Sequence, residues 1–231
     1  MKTLSYLLSV ALVLFTIGIS FAGQFGPAKP DAKDGGASIG IGYFNSESKM
    51  KSSETGNLIF KSNQVHLQGS YSFVKNWEAY GRIGGADMKE QVSGLKDGSK
   101  VFGSLGVRGL FYDDGFFSFG PFIQGNMYST YTDTVTSGGA AEKYKIENPW
   151  DASVGLAAQI KIEKLMFYYG PFAYMARSKF KVQNDSTTLK EKQNLGGFLG
   201  INVLATKDFN FSIEGQYTGR FSVGGMVNYS F

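Results

Sequence analysis

The chain has 231 residues, a net charge of +4 and no cysteine, with 31 glycines, 5 prolines, 20 phenylalanines and 13 tyrosines. That length suits one domain, and the lack of cysteine excludes disulfides, thiol catalysis, Cys-based metal sites and a lipidated cysteine. The composition is poor in helix formers and rich in aromatic β-formers.

The chain opens on Met1-Lys2, runs almost wholly apolar from Leu4 to Ile19, and then presents small residues in Ser20-Phe21-Ala22. A charged start, a short apolar run and a small-residue site predict a signal peptide over residues 1–22, cleaved after about Ala22. The run is shorter than the ~20 residues of a spanning helix. No later segment approaches that length, so after cleavage the chain is not a helical membrane protein. Residues 23–36, GQFGPAKPDAKDGG, are punctuated by Gly and Pro and predict a flexible leader.

From Ala37 onward the chain alternates with period two, the pattern of strands with one apolar face. The first strand sets Ala37, Ile39, Ile41 and Tyr43 against Ser38, Gly40 and Gly42. The second sets Val65, Leu67, Tyr71 and Phe73 against Gln64, His66, Gln68, Ser70 and Ser72. Further strands begin near Trp77, Val101, Phe117, Trp150, Phe167, Leu195, Phe211 and Phe221. Tight connections fall at 74–76, 113–115, 163–164 and 206–208. They alternate with long, polar, charged ones near 45–62, 87–99, 131–149 and 178–193, while the one at Gly219-Arg220 is short. The implied fold is an all-β, antiparallel up-and-down transmembrane barrel over residues 37–231, with about 10 strands and 8 as the alternative. A soluble sandwich would not require such alternation of connection length. Pro121 and Pro171 lie in the related stretches Ser118–Phe122 and Tyr168–Phe172. Proline lacks a ladder donor, so a bulge or irregular pairing is predicted at each.

The last strand ends on an alternating Val223, Gly225, Val227, Tyr229, Phe231. With the signal peptide and the uneven connections, this ending resembles the small bacterial outer-membrane barrels of the OmpA-like and opacity-type group. The resemblance covers Ala37 to Phe231 as pattern. It implies Tyr229 and Phe231 as an assembly signal, with periplasmic chaperones and the barrel-assembly machinery as partners during biogenesis. It also implies a cell outer-membrane location among lipids that include lipopolysaccharide. The peptidoglycan-binding domain many OmpA-like proteins carry is not expected here.

Chemistry is sparse. The single histidine, His66, has Ser70 on the same face, but four residues along a strand is about 13 Å, too far for proton transfer. A satisfied lumen histidine is the expectation, and the chain is not expected to be an enzyme. No cofactor, metal or nucleic-acid site is expected. Glu78, Arg82, Arg108, Asp151, Lys161 and Glu214 all fall on inward positions and predict a paired charge network in the lumen. Inward glycines leave space that inward Tyr80, Phe122, Tyr128, Phe172 and Tyr174 compete to fill. Three roles stay open: a surface or structural barrel with a filled lumen, a narrow passive channel, or a surface lipid- or peptide-hydrolysing enzyme. Lysines 179, 181, 190 and 192 are candidates to meet lipopolysaccharide phosphates.

Overall fold

The structure, a computed structural model, describes residues 24–32, 34–52, 56–90, 96–137, 140–182, 185–191 and 194–231; the predicted signal peptide lies outside them. The elements in chain order are β1 (Ala37–Ser52), β2 (Gly56–Val74), β3 (Trp77–Glu90), β4 (Lys96–Gly109), β5 (Tyr112–Asp113), β6 (Phe117–Tyr128) and β7 (Tyr131–Ser137). They continue with β8 (Ala140–Ile162), β9 (Leu165–Val182), β10 (Asp185–Glu191), β11 (Leu195–Leu204), β12 (Phe209–Tyr217) and β13 (Phe221–Ser230).

Ten of these, β1, β2, β3, β4, β6, β8, β9, β11, β12 and β13, pair antiparallel with their neighbours and close into a ring. Closure leaves no unpaired edge, the condition for a sheet to cross a membrane. The seam joins β13 to β1 from Ser38↔Ser230 to Asn45↔Val223, and the Phe231 N–H bonds the Ala37 carbonyl at 2.9 Å. The three remaining strands lie off the ring: β5 pairs β6, β7 folds onto β8, and β10 reaches from β9 across to β1. Tight turns gather at the end that holds Phe231. Two of them are made by Asn76 and Glu163, at φ +67° and +52°.

Around the middle of the barrel the outward face is apolar and exposed, through Ile41, Leu67, Ile83, Leu105, Ile123, Met127, Val154 and Leu199. Aromatic residues Phe73, Phe111, Phe116, Phe167, Phe209 and Phe231 gather toward the turn end. Such a band with aromatic girdles is what a bilayer selects.

Above the band the polarity of the wall reverses. Met50, Leu58, Phe60, Met88, Ile146, Phe180 and Leu189 point inward and are buried, while Lys89, Lys145, Lys179 and Lys181 line the outside. The segments expected as long loops are therefore strand extensions, paired as far as Ser52↔Gly56 and Lys89↔Lys96. The solvent outside has changed from lipid to water, so the faces exchange roles.

The pairing is irregular at both prolines, as expected, and opposite Pro121 the neighbouring wall gains one residue, with Arg108↔Phe122 followed by Tyr112↔Phe119. Pro121 pairs with Leu156 and Pro171 with Gly197 in unbroken register, while the ladder to the other neighbour lapses beside each. Gly120 and Gly170, just before them, bring the chain against the Gly109 and Leu156 carbonyls. Further register shifts fall at Tyr71/Val74, Ala86/Met88 and Glu147/Trp150. Inward glycines do not leave the lumen empty. The space a Cβ would take at Gly106, Gly200 and Gly224 is filled by Tyr80, Tyr168 and Phe44.

Candidate functional site

The lumen holds the chain's own N-terminal segment. Residues 24–32, part of the stretch expected as a flexible leader, are packed against the inner wall in the turn half of the barrel, with Gln24, Phe25, Ala28 and Ala32 buried. A short polar stretch with two prolines gives no periodic signal, so the sequence did not announce this. Its one aromatic residue, Phe25, was the available hint.

Phe25 enters a cage of inward rings. Its centroid lies 4.3 Å from Phe122, 4.8 Å from Phe172 and 5.3 Å from Phe198, largely tilted or edge-on. Rings in such arrangements contribute about 0.5–1.5 kcal/mol per pair beyond burial.

The backbone of the segment is received by side chains of the wall. Glu214 takes the N–H groups of Phe25 and Gly26 at 2.9 and 2.8 Å, one on each carboxylate oxygen. Gln159 Oε1 takes the Lys29 N–H at 3.0 Å, and Glu78 Oε2 takes that of Ala32 at 2.8 Å. Pro27 and Pro30 bring no N–H into the interior, which reduces the number of donors that need a partner there.

Arg108 organises the charges. Its guanidinium pairs with Glu78 Oε1 at 2.7 Å and with Asp31, and donates to the Phe25 and Pro27 carbonyls at 3.4 and 3.3 Å. All three charged side chains are almost fully buried. Asn210 and Asn228 donate to Asp31 at 3.4 and 3.3 Å, and Ser230 Oγ bonds its carbonyl at 2.7 Å. Removing one member of such a group strands the others in the interior, at a cost of about 3–5 kcal/mol.

Arg82 and Asp151, two of the other inward charges, find neutral partners. Arg82 donates to Gln68 at 2.7 Å and to Gln124 at 3.0 Å, and its guanidinium lies 4.9 Å from the centre of the Tyr80 ring. Asp151 accepts from Asn126 and from the Tyr128 hydroxyl, the latter at 3.0 Å. Lys161 stands apart, half-exposed near the turn end of β8. Tyr229 and Phe231 lie on the outer surface with rings 5.2 Å apart.

His66 is buried edge-on to Phe102 at 6.1 Å, and neither ring nitrogen meets a protein hydrogen-bond partner among the described residues. Ser70 bonds Ser38 at 2.6 Å.

No family model matches the chain, and neither does any curated protein. Solved structures do. The translocator domain of the autotransporter NalP from Neisseria meningitidis is 10% identical, with a TM-score of 0.51, over 100% of this chain and 98% of that one. An outer-membrane channel from Pseudomonas putida F1 is 11% identical, with a TM-score of 0.50, over 90% and 99% of the two chains. At these identities the likeness concerns architecture. Together with the closed ring, the apolar outer band and the polar interior, it makes the chain a ten-stranded β-barrel of the outer-membrane type.

Proposed function

We propose that the protein is a surface or structural barrel whose lumen is closed by its own leader, and that it conducts little. The observation that carries this reading is the seating of residues 24–32 on Glu214, Gln159, Glu78 and Arg108, with Phe25 in its aromatic cage. It enters the outer membrane after removal of residues 1–22, with Tyr229 and Phe231 read by the assembly machinery and periplasmic chaperones. The extended strands carry a water-facing wall above the bilayer, where Lys179 and Lys181 stand at the level of lipopolysaccharide phosphates. It has no catalytic role on this reading.

Single-channel recording in a planar bilayer tests it. The intact protein is expected to give no steps, and a variant lacking residues 24–34 is expected to give them. Regular steps from the intact protein would favour the narrow channel instead.

A further inference from the structure

We infer that the lumen is a peptide-binding site, with the leader as its resident ligand. It selects a bent segment, turned at Gly26 and again over residues 28–32, that carries a phenylalanine followed by glycine and proline, and an aspartate four residues beyond the proline.

The contacts divide as they do in peptide recognition. Backbone groups give grip: the N–H groups of Phe25, Gly26, Lys29 and Ala32 meet Glu214, Gln159 and Glu78, and the carbonyls of Phe25 and Pro27 meet Arg108. Side chains give selection. Phe25 fills a cage built by β6, β9 and β11, through Phe122, Phe172 and Phe198. Gly26 sits at φ +81°, and any Cβ there would run into the Arg108 guanidinium, so only glycine fits. Asp31 is read by Arg108, Asn210 and Asn228.

The segment also hangs from the barrel by a short hinge. Asp34 and Gly35 are exposed, and the hinge is held through the Gly35 N–H on the Ser72 carbonyl at 3.1 Å and the Asn76 N–H on Asp34 at 3.3 Å. The leader is therefore a ligand tethered at one end, and tethering raises its effective concentration without altering what the wall recognises. The class of competing partner is a flexible periplasmic peptide with the same pattern, entering from the turn end.

The test uses the full chain with a protease site inserted between Gly35 and Gly36, folded and then nicked. A fluorescent peptide of residues 23–36 is added, and anisotropy is read alongside the β-sheet circular dichroism signal. The nicked barrel is expected to exchange its leader for the peptide saturably, and the uncut protein to bind none. Phe25→Ala or Asp31→Asn in the peptide should weaken binding about tenfold or more. Retention of the nicked leader against a large excess of peptide overturns the inference, and so does equal uptake of wild-type and substituted peptides. The inference rests on the occupied lumen, but its readout is binding rather than conductance. A leader deletion that conducts while the nicked barrel ignores the peptide would fail this inference and leave the closed-lumen reading standing.

Discussion

Gly26 packs so closely on Arg108 that a Cβ at this position would run into the guanidinium. Two constraints meet there, because the residue also holds φ +81°. Gly26→Ala is expected to lower stability by about 1–3 kcal/mol through strain and displacement of Arg108. Gly115, at φ +89° with open space around it, provides the comparison. Gly115→Ala should cost only the conformational part, about 1 kcal/mol. Urea midpoints of the two variants in detergent should separate accordingly; equal midpoints would mean that the Arg108 contact carries no weight.

The Arg108–Glu78–Asp31 group predicts strong non-additivity. Arg108→Met alone leaves two carboxylates buried against each other and is expected to cost about 3–5 kcal/mol. Adding Glu78→Gln and Asp31→Asn should recover most of that loss, since the stranded charges are gone. Urea unfolding of the single and triple variants measures the difference. A triple variant as unstable as the single one would show that packing of the guanidinium matters more than its charge.

Depth along the wall predicts opposite tolerances on the two faces. Leu105, outward and highly exposed on β4, meets lipid, so Leu105→Arg should cost about 2–4 kcal/mol near mid-membrane. On the water-facing extension the sensitive face is the inner one. There Phe60→Gln should be disruptive, by about 3 kcal/mol or more, while Lys179→Gln should be nearly neutral. Folding into lipid vesicles, followed by heat-modifiable gel mobility, reads all three.

Acid should loosen the outer fastening of the leader. Burial works against ionisation of Asp113, yet hydrogen bonds from Ser118 and the Gly115 N–H, with the Lys29 ammonium at 3.1 Å, outweigh it and hold the carboxyl below its usual value. The N–H groups of Phe117 and Phe116 do the same for Asp114, at 2.7 and 3.0 Å. Both folded-state values lie below the unfolded ones. The stabilisation is therefore complete above the ordinary aspartate value of 3.8 and is lost as pH falls through the folded values. Amide exchange at Gly115 and Phe117 should be constant in protection from pH 5 to 7 and lose it below about 3.8. Asp113→Asn and Asp114→Asn should remove that dependence.

Where the solvent outside is lipid, the sequence pattern translated directly into structure. Leu195–Leu204 runs as a strand over the residues its alternation marks, and ten strands rather than eight close the ring. Above the bilayer the same periodicity persists with reversed polarity, as in Lys49-Met50-Lys51 and Lys179-Phe180-Lys181, where a lone apolar residue between lysines marks the inner face. Those stretches resemble charged loops because their outward residues are lysines rather than apolar side chains. The leader was hidden for a different reason. Its contacts are with residues far along the chain, so Gln24 with Ser212 or Asp31 with Asn228 leaves no local periodicity. Strand parity places Arg108, Glu78 and Glu214 inward, but it carries no trace of the segment they receive.

The seam between β1 and β13 has a consequence for the timing of assembly. The leader precedes every strand in synthesis, yet Ser212, Glu214, Asn228 and Ser230, four of the residues that receive it, belong to the last two strands. A chain that has not yet joined its two edges carries the key but only part of the lock. Seating of residues 24–32 therefore follows completion of the ring, and protection of the Phe25 and Gly26 amides should mark barrels that have finished folding.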